Sequence, residues 1–276
     1  LKKLLLTALT LLHINLFALE VAAPKAPPSI PLLKIKGIDL KLFQDVSTEG
    51  IPSIIRGKGD IYLLPVNVGA TLYNKGVDIK FIGVTSNGLL SLVSREITQF
   101  SHLSGKKLYI GGQGSSPDVV TRKILEENNM KVDTLYRSSP EIAKLIMAGK
   151  IENAILPEPL ATMVMERNAD IKRVSELKEL WPGETIPQVG IFVLNTTLQN
   201  NPEEVEKFLV SYKESLDNIS DDDITSAIEK FNLTMNEKEF RTSLNYMNLT
   251  LSKDRNSVEN YLRVLEIKVE DDFYGW

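Results

Sequence analysis

The residues best suited to chemistry lie in one run, Tyr109-Ile110-Gly111-Gly112-Gln113-Gly114-Ser115-Ser116-Pro117-Asp118-Val119. Their types read as a strand, a glycine-rich turn and the start of a helix. Glycines reach positive φ and let a ligand approach the backbone. The free amides of a helix start, with the hydroxyls of Ser115 and Ser116, can donate to an anion or another polar group. The same run also reads as an ordinary strand-to-helix turn with Ser116 as the cap, but then Gln113, Gly114 and Ser115 are surplus. The spacing of a nucleotide P-loop is absent, and the third glycine of a dinucleotide fingerprint is replaced. Two further segments, Gly59–Ala70 and Ile155-Leu156-Pro157-Glu158-Pro159-Leu160, are each a strand ending in a proline turn. Ligands in open α/β sheets gather at the carboxyl ends of strands, which marks Asn67 and Glu158. Either would serve equally as a capping residue.

Composition removes much else. There is no cysteine, and the histidines are His13 and His102, so disulfides, thiolate zinc sites, Cys nucleophiles and multi-His metal sites are excluded. His102 lies in Phe100-Ser101-His102-Leu103-Ser104 with no Gly-x-Ser-x-Gly nearby, and reads as a surface or capping residue. The Asp221-Asp222-Asp223 run reads as acids at a helix start. With 32 Lys+Arg against 36 Asp+Glu and a net charge of −4, no basic stripe is available for nucleic acid. The expectation is a protein that is not an enzyme, with no cofactor and no metal.

The elements that must position these residues are legible as alternation. Leu32–Ile38, Asp60–Leu64, Ile79–Thr85, Leu89–Ser94, Lys107–Gly111, Asn153–Leu156 and Val189–Leu194 have the apolar, β-branched character of strands. Ser116-Pro117-Asp118, Ser139-Pro140-Glu141 and Asn201-Pro202-Glu203 each mark a helix start. Helical periods follow at Val205–Tyr212, Ile224–Phe231 and Val258–Leu265, so the expected class is α/β. At the other end, Lys2 and Lys3 precede the uncharged apolar stretch Leu4–Phe17. That stretch is shorter than the roughly 18 residues needed to span a bilayer and reads as an export signal cleaved near Ala18. Without cysteine no lipid-modified cysteine anchor can form, so the expectation is a soluble periplasmic protein with no membrane anchor.

Five segments carry a resemblance in their order. These are Ala26-Pro27-Pro28-Ser29-Ile30-Pro31, Asp60–Tyr73, Gly112-Gln113-Gly114-Ser115-Ser116-Pro117-Asp118, Glu141–Gly149 leading into Leu156-Pro157-Glu158-Pro159, and Ile186-Pro187-Gln188-Val189. Over residues 21–215 the chain resembles the nitrate/sulfonate/taurine and thiamine-pyrimidine family of periplasmic solute-binding proteins. The resemblance implies a type II periplasmic-binding-protein fold, two α/β lobes joined by two crossing strands. Carried over by position, residues 1–18 are the signal peptide, 19–94 plus 188–276 the first lobe and 95–187 the second. Leu89–Arg95 and Ile186–Val193 are the crossings. The implied function is delivery of a small polar or anionic solute to an ABC permease and its ATPase by a monomer that closes around it. The ligand-binding residues implied are Ser29, Asn67, Asn87, Gly112, Gln113, Gly114, Ser115, Ser116, Glu158 and Gln188. Two alternatives stand beside this: an enzyme on the same fold, of the menaquinone or thiamine-pyrimidine biosynthesis type, and a sensor presenting its closed form to a membrane receptor. The pyrimidine-forming enzymes rely on a cysteine-rich motif and a histidine that are not found here.

Overall fold

A computed structural model describes residues 18–276. The segment read as the export signal therefore lies, except for Ala18, outside the described residues. In chain order the elements are β1 (Leu19–Pro24), β2 (Ile38–Phe43), α1 (Ile51–Ile55), β3 (Ile61–Pro65), α2 (Val66–Asn74), β4 (Ile79–Asn87), β5 (Leu90–Ser94), β6 (Lys107–Gly111), α3 (Ser116–Glu127), β7 (Asp133–Arg137) and α4 (Ser139–Met147). Then come β8 (Asn153–Pro157), α5 (Leu160–Arg167), β9 (Lys172–Glu176), α6 (Leu177–Leu180), β10 (Pro187–Leu194), α7 (Asn195–Asn200), α8 (Pro202–Asp217), α9 (Asp221–Lys230), α10 (Glu237–Leu244), β11 (Leu249–Ser252) and α11 (Arg255–Val264).

The strands form two sheets, in the orders β11-β4-β10-β3-β1-β2 and β7-β6-β8-β5-β9. Strands β3, β5 and β8 are buried almost throughout, which is why each reads as an unbroken apolar run. The chain passes from the first sheet to the second at Gly88-Leu89 and returns through residues 181–186. Each strand entered on crossing, β5 and β10, runs antiparallel to both of its neighbours. This moves a boundary. Leu90–Ser94 was expected in the first lobe, yet it pairs with β8 and β9 in the second sheet, because its apolar face is buried there.

Another strand moves as well. Leu32–Ile38 was expected to be extended, but Pro31–Lys34 forms a short 3-10 turn directly after a similar turn at Pro27–Ser29. Prolines fix φ and donate no ladder bond, so the strands form on either side of them, as β1 and β2. The edge strands β7 and β9 carry charged residues at most exposed positions, which hides their alternation in the sequence.

The C-terminal helices do not all return to the first sheet. Val205, Phe208, Leu209 and Tyr212 of α8 pack against β1, β3 and β10. In contrast, Ile224 of α9, Phe231 directly after it and Phe240 of α10 share a core with Ile142 of α4 and Val164 of α5. The Arg167 guanidinium clamps this junction, donating to both carboxylate oxygens of Glu239 at 2.6 and 2.7 Å and holding that carboxyl below its ordinary range. A carboxyl whose pKa is depressed on folding contributes stability above its unfolded value and loses it as pH falls through the folded value. Glu239→Gln is therefore expected to cost at most about 1 kcal/mol at neutral pH and nothing extra in acid. Thermal melts of wild type and variant at pH 7 and pH 3 should converge in acid; a gap that persists at pH 3 would refute the assignment.

Candidate functional site

The glycine run lies where β6 ends and α3 begins. Gly112 and Gly114 have φ of +61° and +75°, the left-handed conformation the turn requires. Much of the expected donor set is engaged within the loop. The Gly114 amide donates to Asp118 Oδ2 at 2.7 Å, the Gly112 amide to the Arg137 carbonyl at 3.2 Å, and the Ser115 amide to the Gly112 carbonyl at 3.2 Å. The Ser115 hydroxyl turns back onto the carbonyls of Gly111 and Gly112 instead of facing outward. Ser115 occupies the N-cap position without capping through its side chain, so the cap expected at Ser116 is one residue earlier. Gln113 is exposed at the tip.

Ser116 is different. It is buried, its hydroxyl has no hydrogen-bond partner, and it faces the hydroxyl of Tyr261 on α11, which is also unpartnered. The Tyr261 ring lies 5.5 Å from that of Trp181, whose buried indole N–H is likewise without a partner. Burial pushes the Tyr261 phenol up, so it stays neutral and able to donate. Buried polar groups in folded proteins are nearly always satisfied; here the Ser116 and Tyr261 hydroxyls have only each other within reach, and the indole N–H lies against Gly183.

The other residues divide into two groups. Asn67, at the start of α2, and Asn87, at the end of β4, each present a buried amide oxygen without a partner, and the Ser86 hydroxyl is in the same condition. Asn67 sits just beyond the carboxyl end of β3, where Pro65 pairs with Val189. The second group is engaged in the fold. Ser29 is fully buried and donates to the Pro24 carbonyl at 2.6 Å. Gln188 accepts the Leu89 amide at 2.9 Å, at the passage between the sheets. Glu158 is buried with Oε1 2.8 Å from Arg173 Nη2, while Oε2 accepts the Thr162 amide at 3.2 Å. Burial raises the Glu158 pKa, and the Arg173 guanidinium opposes that rise.

Several contributors escape a reading by residue type. Asp118 is fully buried and collects Gly114, Arg122 and the Tyr136 hydroxyl, the last at 2.9 Å. In sequence it is simply an acid in the first turn of a helix. Tyr261 belongs to an amphipathic stripe that reads as core. Asn248, left-handed at φ 46°, joins the passage between sheets by accepting the Asn87 amide at 3.0 Å and donating to the Gly88 carbonyl at 2.7 Å. No motif announces it. Two surface cavities lie away from the glycine loop. One, of about 420 Å³, is bounded by α8 and β11, and the other, of about 350 Å³, by Glu96, Lys106 and Lys150. Among the described residues no cluster of His, Cys, Asp and Glu could hold a metal, and no helix is long and apolar enough to cross a membrane.

Solved structures share this architecture. An ABC transporter protein from Parabacteroides distasonis matches with a TM-score of 0.72 and 20% identity, over 94% of this chain and 95% of its own. The periplasmic aliphatic sulphonate binding protein SsuA from Escherichia coli matches at 0.75 and 13%, over 90% and 85%. A Candida albicans gene product described as exhibiting the generic periplasmic binding protein structural fold matches at 0.64 and 13%, over 93% of each chain. The fold is thus that of the periplasmic binding proteins, as expected. No curated protein sequence matches the chain. The NMT1/THI5-like family model matches residues 33–223, most of the chain and the stretch that holds the glycine loop, Asn67 and the Glu158 turn, and the protein belongs to that family.

Proposed function

We propose that the protein is the substrate-binding component of an ABC importer, exported to the periplasm, which holds a small polar solute between its two sheets and delivers it to a permease and ATPase. We assign residues 19–87 and 187–276 to the first lobe, with α9 and α10 leaning on the second, and residues 88–186 to the second. The observation that carries the reading is the set of buried, unpartnered polar groups contributed by both sides. Ser116 and Trp181 come from the second-sheet region, and Tyr261, Asn67 and Asn87 from the first. A solute that reaches both sets gains contacts with each only when the lobes are shut, which couples binding to closure. Support from outside the chain is its family and the ABC-transporter and sulphonate-binding proteins that share its fold.

The test is a thermal-shift screen of the purified protein against sulfonates, taurine, nitrate and pyrimidine or thiamine precursors. A solute at 100 times its dissociation constant stabilises by about 2.7 kcal/mol. For a hit, Ser116→Ala should weaken binding about tenfold, the value of one hydrogen bond to a buried polar partner. Ser115→Ala, whose hydroxyl is engaged with its own loop, should change affinity less than twofold. A screen with no hit, or equal losses in the two variants, would reject this site.

A further inference from the structure

The C-terminal helices carry the chain between the lobes a second time. Helix α8 packs on β1, β3 and β10 of the first sheet, α9 and α10 share the core of α4 and α5 in the second lobe, and β11 rejoins the first sheet beside β4. Residues 218–220 and 245–248 therefore link the lobes in addition to the passages at Gly88-Leu89 and 181–186. The link at 245–248 is fastened to the passage at Gly88. Asn248 accepts the Asn87 amide at 3.0 Å and donates to the Gly88 carbonyl at 2.7 Å, and its side-chain oxygen accepts Lys178 Nζ at 3.0 Å.

The link at 218–220 stands apart from that bundle, across the groove of about 420 Å³ lined by Leu216, Asp217, Asn245 and Asn248. It is short and held. A run of this length reaches at most about 10 Å. On the first-lobe side, Lys34 Nζ donates to the Asn218 carbonyl at 2.6 Å and to Asp223 Oδ2, in the first turn of α9, at 2.7 Å. On the second-lobe side, the apolar cluster of Ile224 and Phe240 with Ile142 and Val164 is reinforced by Arg167, which bonds Glu239 and the Thr234 carbonyl. A body hinged at one place swings and twists in any direction. One attached at two separate places turns only about the line between them.

We infer, resting on the two-lobe solute-binding reading, that α9 and α10 form a strap that limits how far the lobes open. The strap moves with the second lobe, because a close-packed core resists shear, and Lys34 pins its near end to the first. Restricting the open states raises the share of protein ready to close, and apparent affinity rises in proportion to that share.

The chain has no cysteine, so Lys75→Cys beyond α2 and Glu127→Cys at the end of α3, both exposed, place one nitroxide on each lobe. Double electron–electron resonance on the protein without added solute then reads the spread of lobe distances. With the strap intact the distribution should be single and narrow. Inserting Gly-Ser-Gly-Ser between Asn218 and Ile219 adds about 13 Å of reach and should lengthen or broaden the distribution by about 5 Å or more. The same insertion between Gly57 and Lys58, in an exposed turn of the first lobe, should leave it unchanged. If the first insertion fails to fold, Lys34→Met, which removes only the pin, decides instead and should broaden the distribution in the same direction. A broad distribution with the strap intact, no change in the deciding variant, or an equal change from the insertion at Gly57 overturns the strap. None of these results touches the solute reading, which the thermal-shift screen decides separately; a screen with no hit beside the expected broadening rejects that reading and keeps the strap.

Discussion

Replacing Arg173 with methionine is expected to destabilise the protein by about 3–5 kcal/mol at neutral pH, the usual consequence of leaving a buried charge without its partner. The Glu158 side chain is 0% exposed and that of Arg173 14% exposed. The guanidinium also reaches Thr162 at 3.2 Å and stacks 3.7 Å from the centre of the Tyr246 ring, so three elements lose an anchor together. The pH dependence identifies the cause. Burial already raises the Glu158 pKa, and removing the opposing guanidinium raises it further. An acid whose pKa is higher folded than unfolded favours the fold when protonated and penalises it when ionised. The deficit of Arg173→Met should therefore shrink as pH falls below the raised folded pKa toward the ordinary carboxylate value, and be largest above it. Adding Glu158→Leu should restore much of the loss at neutral pH. Denaturant melts at pH 5 and pH 8 decide this: a deficit that is equal at both, or a double variant no better than the single, would show that the pair is not the anchor.

Gly69→Ala is expected to cost about 1–3 kcal/mol or more and to abolish solute binding in the protein that still folds. A Cβ at Gly69 would fall inside the ring of Phe192, on the central strand β10. That ring cannot swing aside, because it is fully buried and lies 5.3 Å from the ring of Phe81 and 6.1 Å from that of Phe273. Helix α2 must therefore lift from the sheet, and Asn67 is in its first turn. Binding and stability should fall together here, whereas Ser116→Ala should lower binding with little loss of stability. A Gly69→Ala protein with wild-type melting temperature and wild-type affinity would show that α2 is not held against β10 in this way.

The glycine loop illustrates how far a sequence leads toward a site. Its position, between a strand and a capped helix, follows from residue types, because glycine, serine and proline act through local backbone geometry. Which of its hydroxyls is free does not. Ser115 and Ser116 are chemically alike, and the direction of each is set by carbonyls and rings brought from elsewhere: Gly111 and Gly112 beneath Ser115, and Tyr261 across from Ser116. Glu158 teaches the same lesson with the opposite outcome. Its place after a strand suits a ligand contact, but Arg173, fifteen positions later by sequence numbering, engages its carboxylate.

What the sequence determined by itself are the properties written in neighbouring residues. These are the α/β class from alternation, the helix starts from Ser-Pro and Asn-Pro pairs, and the family from five segments in order. The exclusion of cysteine chemistry follows from composition alone. The tertiary structure decided what depends on partners distant in the chain. Leu90–Ser94 has the same apolar composition wherever it lies, and only pairing with β8 and β9 assigns it to the second sheet. Helices α9 and α10 carry ordinary amphipathic stripes, and only the apolar face of α4 and α5 together with the Arg167 clamp directs them away from the first sheet. Burial and pairing are properties of the assembled chain, so the ion pair of Glu158 with Arg173 and the hydrogen bond of Tyr136 to Asp118 appear only once those distant partners meet.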